Sequence, residues 1–322
     1  MAKRLKLIVS HAPFWHDGGS ISKMNLNMIL ALLPAAIFGI VRFGMPALGV
    51  VALSVSSAML FELLFNLASK RPITTGDFDA ALIGLLFALM VPAPTPWWVV
   101  VCGTFLAVVI GKQIYGGIGG NPFYPVVLSL AILMVSWPVF FDADAALVNY
   151  RFDFKALAPL PALKHQGTSA LYYFNAGDLL MGDQIGSIGT IFPLGILIGG
   201  IYLIIRGYIK WEVTVSFVAG LVATAWIFNV ADPDSFAGPM VHLFSGYTML
   251  AAFFLVTENS SSPVNLVPML IYGALGGFLV ILIRNIGVYP DGTIFAILLI
   301  NLVNPLIDTI RPKALGRRVN NA

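Results

Sequence analysis

Residues 112–125 read KQIYGGIGGNPFYP. On one side runs WWVVVCGTFLAVVIG, residues 97–111, and on the other VVLSLAILMVSWPVFF, residues 126–141. Between two apolar runs the chain thus places a lysine, four glycines, an asparagine and two prolines. Such residues break helices, and irregular backbone at membrane depth persists only where protein or a water-filled cavity satisfies its amides and carbonyls. Two readings follow from the residues alone. The segment is a break inside a helical hairpin whose free backbone groups hold a polar ligand, or it is a surface loop whose glycines allow close packing.

The composition of the chain decides its class. Hydrophobic residues make up 58% of the 322 positions and charged residues 10%, with a mean hydropathy of +0.89. A soluble domain carries about 25% charge. This chain has too few charges to cover a water-facing surface, so it is a polytopic membrane protein in contact with lipid. A net charge of +3 gives no footprint for nucleic acid. The single cysteine, Cys102, excludes an intrachain disulfide framework and an iron–sulfur cluster ligated by this chain alone. The basic N-terminal stretch MAKRLKLIVSHAPFWHDGGSISKMN lacks a long apolar core and a cleavage site, and reads as a cytoplasmic tail.

A bilayer core takes about 20 apolar residues per helix. Ten spans are expected: 26–43, 46–68, 77–92, 95–114, 123–141, 188–207, 212–231, 239–257, 264–284 and 292–308. With the N-terminus in the cytoplasm, thirteen lysines and arginines fall inside and five outside, the five being Arg42, Arg151, Lys155, Lys164 and Arg284. That asymmetry sets the orientation. The expected organisation is a cytoplasmic tail over 1–25, a first membrane repeat over 26–141, an extracytoplasmic loop over 142–187, a second membrane repeat over 188–308, and a cytoplasmic tail over 309–322.

The halves echo each other. TTGDFDAALIGLLFALMVP begins at Thr74 and FSGYTMLAAFFLVTE at Phe244; each opens with a polar, glycine-containing start and continues as an apolar run. About 35 residues later each half has a basic residue, a Gly/Pro/Asn/Asp loop and another apolar span, at Lys112 and at Arg284. Five spans per half turn the second half over relative to the first. The fold expected is an all-α membrane protein of two inverted five-helix repeats, an arrangement that builds sites from interrupted helices. On this reading Asn121 and the glycines before it face the interior, near the matching break at Pro290–Gly292.

Several motifs are set aside. No Gly-Lys-Ser/Thr follows GGIGGN, so it is not a P-loop. His11, His16, His165 and His242 lack ligand spacing, and Asp77 and Asp79 lack the further oxygens of a calcium loop. Glu62, inside a span, is a functional carboxylate by default, unless it snorkels or packs as a neutral acid. Asp308 is expected to be solvated at an interface.

At the loops the sequence resembles the RnfD/NqrB family. The resemblance is to the D-type membrane component of the Rnf (Rsx) electron-transport complexes, and more distantly to the B-type component of the sodium-pumping NADH:quinone reductase. It is carried by PAPTPWWVVVCGTFLAVVIGKQIYGGIGGNPFYP from Pro92, HLFSGYTMLAAFFLVTE from His242 and GVYPDGTIFAILLINLVNPLIDTIRP from Gly287. It implies a flavin-carrying membrane protein within a complex that couples electron transfer, between ferredoxin and NAD or a related pair, to sodium or proton movement. It also implies sister subunits that carry iron–sulfur centres, an outer flavin or haem subunit, and cytoplasmic iron–sulfur and NADH-binding subunits. The implied location is the inner (plasma) membrane. Asn121 matches a flavin-contacting position, whereas Tyr124 stands where the family has a second asparagine. The family's covalent FMN sits on a threonine before Pro-Leu; here FKALAPLPALK places Ala158 there, and alanine forms no ester. The resemblance therefore implies FMN or riboflavin held without a covalent bond. Asn121, Tyr124, Lys112 and Thr248 are the residues expected at the cofactor, and Lys155 and Lys164 are the cations nearest to a phosphate. The alternatives are a flavin-free scaffold or ion-conducting subunit and, on the repeat alone, a secondary transporter.

Overall fold

A computed structural model describes residues 19–142, 150 and 157–310. Among these the structure is helical, with no strand. The first half holds α1 (Ile21–Phe43), α2 (Met45–Ala68), α3 (Asp79–Leu89), α4 (Trp97–Phe105, continued by wider π-helical turns over Leu106–Gln113) and α5 (Pro125–Ser136). Two short helices follow, α6 (Pro159–Gln166) and α7 (Ala176–Met181). The second half holds α8 (Pro193–Ile205), α9 (Trp211–Ala231), the short α10 (Pro239–Phe244), α11 (Thr248–Leu250, continued by π-helical turns over Ala251–Leu255), α12 (Leu266–Ile286) and α13 (Thr293–Ile307).

Each of the ten expected spans contains a helix. Four of them, α1, α2, α9 and α12, are long and apolar enough to cross a bilayer unbroken. Their outward faces carry exposed apolar side chains such as Val41, Leu64, Trp226 and Val230, as a lipid-facing surface does. The third and eighth spans are different. α3 has 11 residues, about 16 Å of helix, roughly half of a bilayer core. Every residue from Ala80 to Val91 is buried, and so is every residue from Thr248 to Val256. These are two half-helices wrapped by protein, the setting in which interrupted backbone is tolerated within a membrane.

The packing repeats. In the first half α2 packs on α3 and α4, and α4 on α5; in the second, α9 packs on the turns after α11 and on α12, and α12 on α13. Like elements meet between halves, α1 against α8 and α5 against α13. The echo between two short motifs thus extends through whole helix sets.

Two local expectations need correction. Gly116, Gly119 and Gly120 are exposed, not turned inward, and Gly116, Gly117 and Gly119 take positive φ that lets the chain reverse after α4. The expected polar loop over 142–187 also ends in the interior. Gln184 and Ile185 are buried, as is 187–191. There Ile188 N–H donates to Val91 O at 3.1 Å and Gly189 N–H to Leu89 O at 2.8 Å, closing the end of α3. A terminal carbonyl left bare in that interior would be costly, which explains the docking.

Candidate functional site

Each half-helix starts beside a buried ionic cluster. At α3, Phe78 adopts a left-handed φ of 61°, a rare backbone for an aromatic residue, and so turns the chain into the helix. Asp79 N–H caps back onto Asp77 Oδ1 at 2.9 Å. Lys112, from the last turn of α4, reaches Glu62 Oε1 at 2.5 Å and Asp79 Oδ2 at 2.7 Å. Gln113 Nε2 and the Thr74 hydroxyl also donate to Glu62 Oε1, each at 3.1 Å. Glu62 is fully buried and does not snorkel. Its second oxygen, Oε2, is buried without a hydrogen-bond partner among the described residues.

Beside this cluster lies a cavity of about 90 Å³ lined by Asn25, Asp79, Lys112, Asn121, Tyr124 and Glu258, among others. Three of the four residues expected at a cofactor, Lys112, Asn121 and Tyr124, therefore share one space. Asn121 is buried and folds its amide onto Phe123 O at 3.1 Å.

Thr248 belongs elsewhere. It starts α11, and its hydroxyl lies 2.8 Å from His242 O and 3.1 Å from Ser245 O. Arg284, in the last turn of α12, donates to Thr248 Oγ1 at 2.7 Å, to His242 O at 2.8 Å and to Asp291 Oδ1 at 3.0 Å. Asp291 also accepts from Tyr247 N–H at 2.8 Å and from the Thr293 hydroxyl at 2.6 Å. The Thr248 hydroxyl is thus spent within this network. His242 is buried there with neither ring nitrogen hydrogen-bonded among the described residues.

Against this second cluster opens the larger cavity, about 440 Å³. Its walls include Phe141, Ala158, Pro159, Leu160, Tyr289 and Pro290, with polar groups from Ser187, Thr190, Tyr247, His165, Asp142 and Asp291. Ser187 Oγ and Tyr247 Oη lie 3.1 Å apart, and Tyr247 Oη donates to Met90 O at 2.8 Å. A volume in the range of small-molecule sites, mostly apolar walls and a few convergent hydroxyls are the features of a candidate ligand cavity. Asn121 lines the small cavity and Pro290 the large one, so the two loop breaks do not converge on one site.

The two cations expected near a phosphate fare differently. Lys155 lies outside the described residues. Lys164, in α6, instead caps the end of α12: its ammonium donates to Arg284 O at 3.3 Å, to Tyr289 O at 3.2 Å and to Gly287 O. Partial burial lowers its pKa from the usual lysine value. Asp308 is half-buried, with its Oδ1 lacking a partner among the described residues. Sequence reasoning missed the Lys112–Asp79 and Arg284–Asp291 pairs. The matching positions of Lys112 and Arg284 in the two halves were the available signal.

The family model described as "NQR2, RnfD, RnfE family" matches residues 8–316. The chain is 34% identical to a protein from Clostridium ljungdahlii named as the D subunit of a proton-translocating ferredoxin:NAD(+) oxidoreductase complex, with 96% of each chain covered. It is 33% identical to the D subunit of an ion-translocating oxidoreductase complex from Cronobacter sakazakii, over 96% of this chain and 99% of that one. It is 36% identical to the protein of the same description from Yersinia enterocolitica, over 96% and 98%. Matched in this way nearly from end to end, the chain belongs to the NQR2, RnfD, RnfE family.

Proposed function

We propose that this chain is the D-type integral membrane subunit of an Rnf-like complex, where electron transfer from ferredoxin to NAD, or between a related pair, is coupled to sodium or proton translocation. The relatives named as subunits of such complexes support the assembly, and the larger cavity supports a flavin relay within this chain. That cavity is the single observation on which the relay rests. A flavin bound there would supply one- and two-electron redox chemistry at its ring system. The chain's own residues would do the positioning. Tyr289 and Phe141 offer flat apolar surfaces; Ser187, Thr190 and Tyr247 offer hydroxyls to polar ring edges; the prolines and Leu160 exclude water. The small cavity at Asn121 and Tyr124 is a second place for a ring contact, completed there by a neighbouring subunit, since about 90 Å³ does not enclose a flavin.

The chain resides in the inner (plasma) membrane with both termini in the cytoplasm and the loop after α5 outside, as the lysine and arginine asymmetry directs. Its partners are membrane subunits with an iron–sulfur centre, an outer flavin or haem subunit, and cytoplasmic iron–sulfur and NADH-binding subunits. A second reading, a flavin-free ion-conducting subunit, draws support from the unpaired buried oxygen of Glu62. Affinity purification of the tagged chain from its native membrane tests the assembly. Iron–sulfur and NADH-binding subunits should co-purify in constant proportion; isolation of the chain alone, with transport activity, would leave the secondary-transporter reading standing.

A further inference from the structure

We infer that Lys164 is a positioning residue for the ligand of the larger cavity: it ties one wall of that cavity to another and so sets how tightly a planar ring is held there. This deepens the flavin-relay reading above and rests on it. One wall is α6, which contributes Leu160, Pro161 and His165; another is the turn between α12 and α13, which contributes Tyr289 and Asp291. α6 packs broadly on none of the described membrane helices, so side chains must fix where it stands. Leu160 and Lys164, one helical turn apart, share the face that does this. Leu160 is buried against Gly246. Lys164 donates to Arg284 O at 3.3 Å, to Tyr289 O at 3.2 Å and to Gly287 O.

The chemistry of the tie is matched on both sides. α12 ends at Ile286, and the carbonyls of a last helical turn have no further turn to bond them. An ammonium brings three donors and a positive charge to that end, where the helix dipole favours a cation. Because the same ammonium also holds Tyr289 O, the backbone of Tyr289 cannot shift without breaking the cap. The Tyr289 ring is backed by Phe295 of α13, with centroids 4.4 Å apart. Backbone and ring are thus held separately, and the flat surface this tyrosine offers to the cavity stays at a fixed distance from α6. A ligand gripped between walls that are already in place binds without the cost of ordering them. A second attachment lies just past α6, where the Thr168 hydroxyl donates to Asp234 O at 2.6 Å. It reaches neither Tyr289 nor α12, and so serves as a control.

The test uses the complex purified through a tag on this chain, depleted of flavin and titrated with riboflavin, with binding read by fluorescence quenching. Ser187→Ala removes a cavity hydroxyl and identifies the site by weakening that binding. Lys164→Met keeps the length of the side chain but not its donors or charge, and should weaken riboflavin binding by about tenfold or more. Lys164→Arg returns a cation and its donors to the helix end, and should bind more tightly than Lys164→Met. Thr168→Ala should stay within about twofold of the unaltered complex. Hydrogen exchange of the flavin-free complex separates positioning from folding: Lys164→Met should speed exchange over residues 287–292 and leave α1 and α2 unchanged. If Lys164→Met does not assemble, Lys164→Gln is read in its place. Four results would each overturn the inference while sparing the flavin relay. They are undiminished binding by Lys164→Met where Ser187→Ala weakens it, no recovery with Lys164→Arg, a loss with Thr168→Ala as large as with Lys164→Met, and faster exchange that spreads through α1 and α2. A complex that carries no flavin, with no riboflavin binding sensitive to Ser187→Ala, would overturn the relay reading itself and this inference with it.

Discussion

Lys112 and Arg284 stand at matching points of the two halves: each lies at the end of the fourth expected span of its half, each is almost fully buried, and each pairs with an aspartate, Asp79 at the start of α3 and Asp291 just before α13. Lys112 meets Asp79 at 2.7 Å, and Arg284 meets Asp291 at 3.0 Å. The hairpin breaks read from KQIYGGIGGNPFYP and GVYPDGT are thus the backbone turns that follow two buried cations. Burying such ions is costly unless each is paired and hydrogen-bonded, so the clusters respond sharply to the loss of one member.

Lys112→Met leaves Glu62 and Asp79 without their shared counter-charge. The expected loss is about 3–5 kcal/mol of stability. Thermal unfolding of the purified protein in detergent measures it. Adding Glu62→Gln to Lys112→Met should recover part of the loss. An unchanged midpoint for the single variant would show that water reaches the cluster.

Arg284→Lys keeps the charge but not the fork that joins Asp291, Thr248, His242 O and Ser245 O. A lysine at a multiply bonded arginine site is not conservative. The variant should lose about 1–3 kcal/mol, the cost of leaving buried acceptors unmet. Equal stability for the two proteins in the same unfolding assay would argue against the network.

Gly246 precedes the second half-helix at a φ of 64°, and a Cβ there would press on Asp291 and Leu160. Gly246→Ala should cost about 1–3 kcal/mol through strained backbone, and should also displace Asp291 from Tyr247 N–H. A crystal or cryo-EM structure of the variant with that 2.8 Å bond intact would contradict the account.

Much of the fold is legible in the sequence because run length and polarity act locally. The spans from α1 to α13 announce themselves as apolar stretches, and the shortened third span is visible in GDFDAAL at its start. In the eighth span the polar start SGYT marks the place where the chain bends at Ser245–Tyr247, but not that Arg284 packs against it. Residues 184–191 carry the polar, glycine-rich composition of an outer loop, and only long-range bonds to Leu89 and Val91 draw them inward. Lys112, Asn121 and Tyr124 come together because they are close in the chain. Pairing of Glu62 with Lys112 across 50 residues leaves no local trace. The bond from Arg284 that draws Thr248 into the other cluster spans 36 residues and leaves none either.

Orientation is tested by reporter fusions at residue 165 and at the C-terminus. The lysine and arginine asymmetry predicts external activity for the first and cytoplasmic activity for the second. Cytoplasmic activity at residue 165 would overturn the orientation proposed from that asymmetry.

The central claim is that this chain holds a flavin without a covalent bond. Denaturing gel electrophoresis with flavin fluorescence, paired with spectroscopy of the supernatant after denaturation, tests it most directly. The account predicts a dark band at 34.6 kDa together with flavin released into solution. A fluorescent band at that mass would contradict it by showing that another hydroxyl carries the ester. A dark band with no released flavin would contradict it by showing that the chain serves the complex without a flavin of its own.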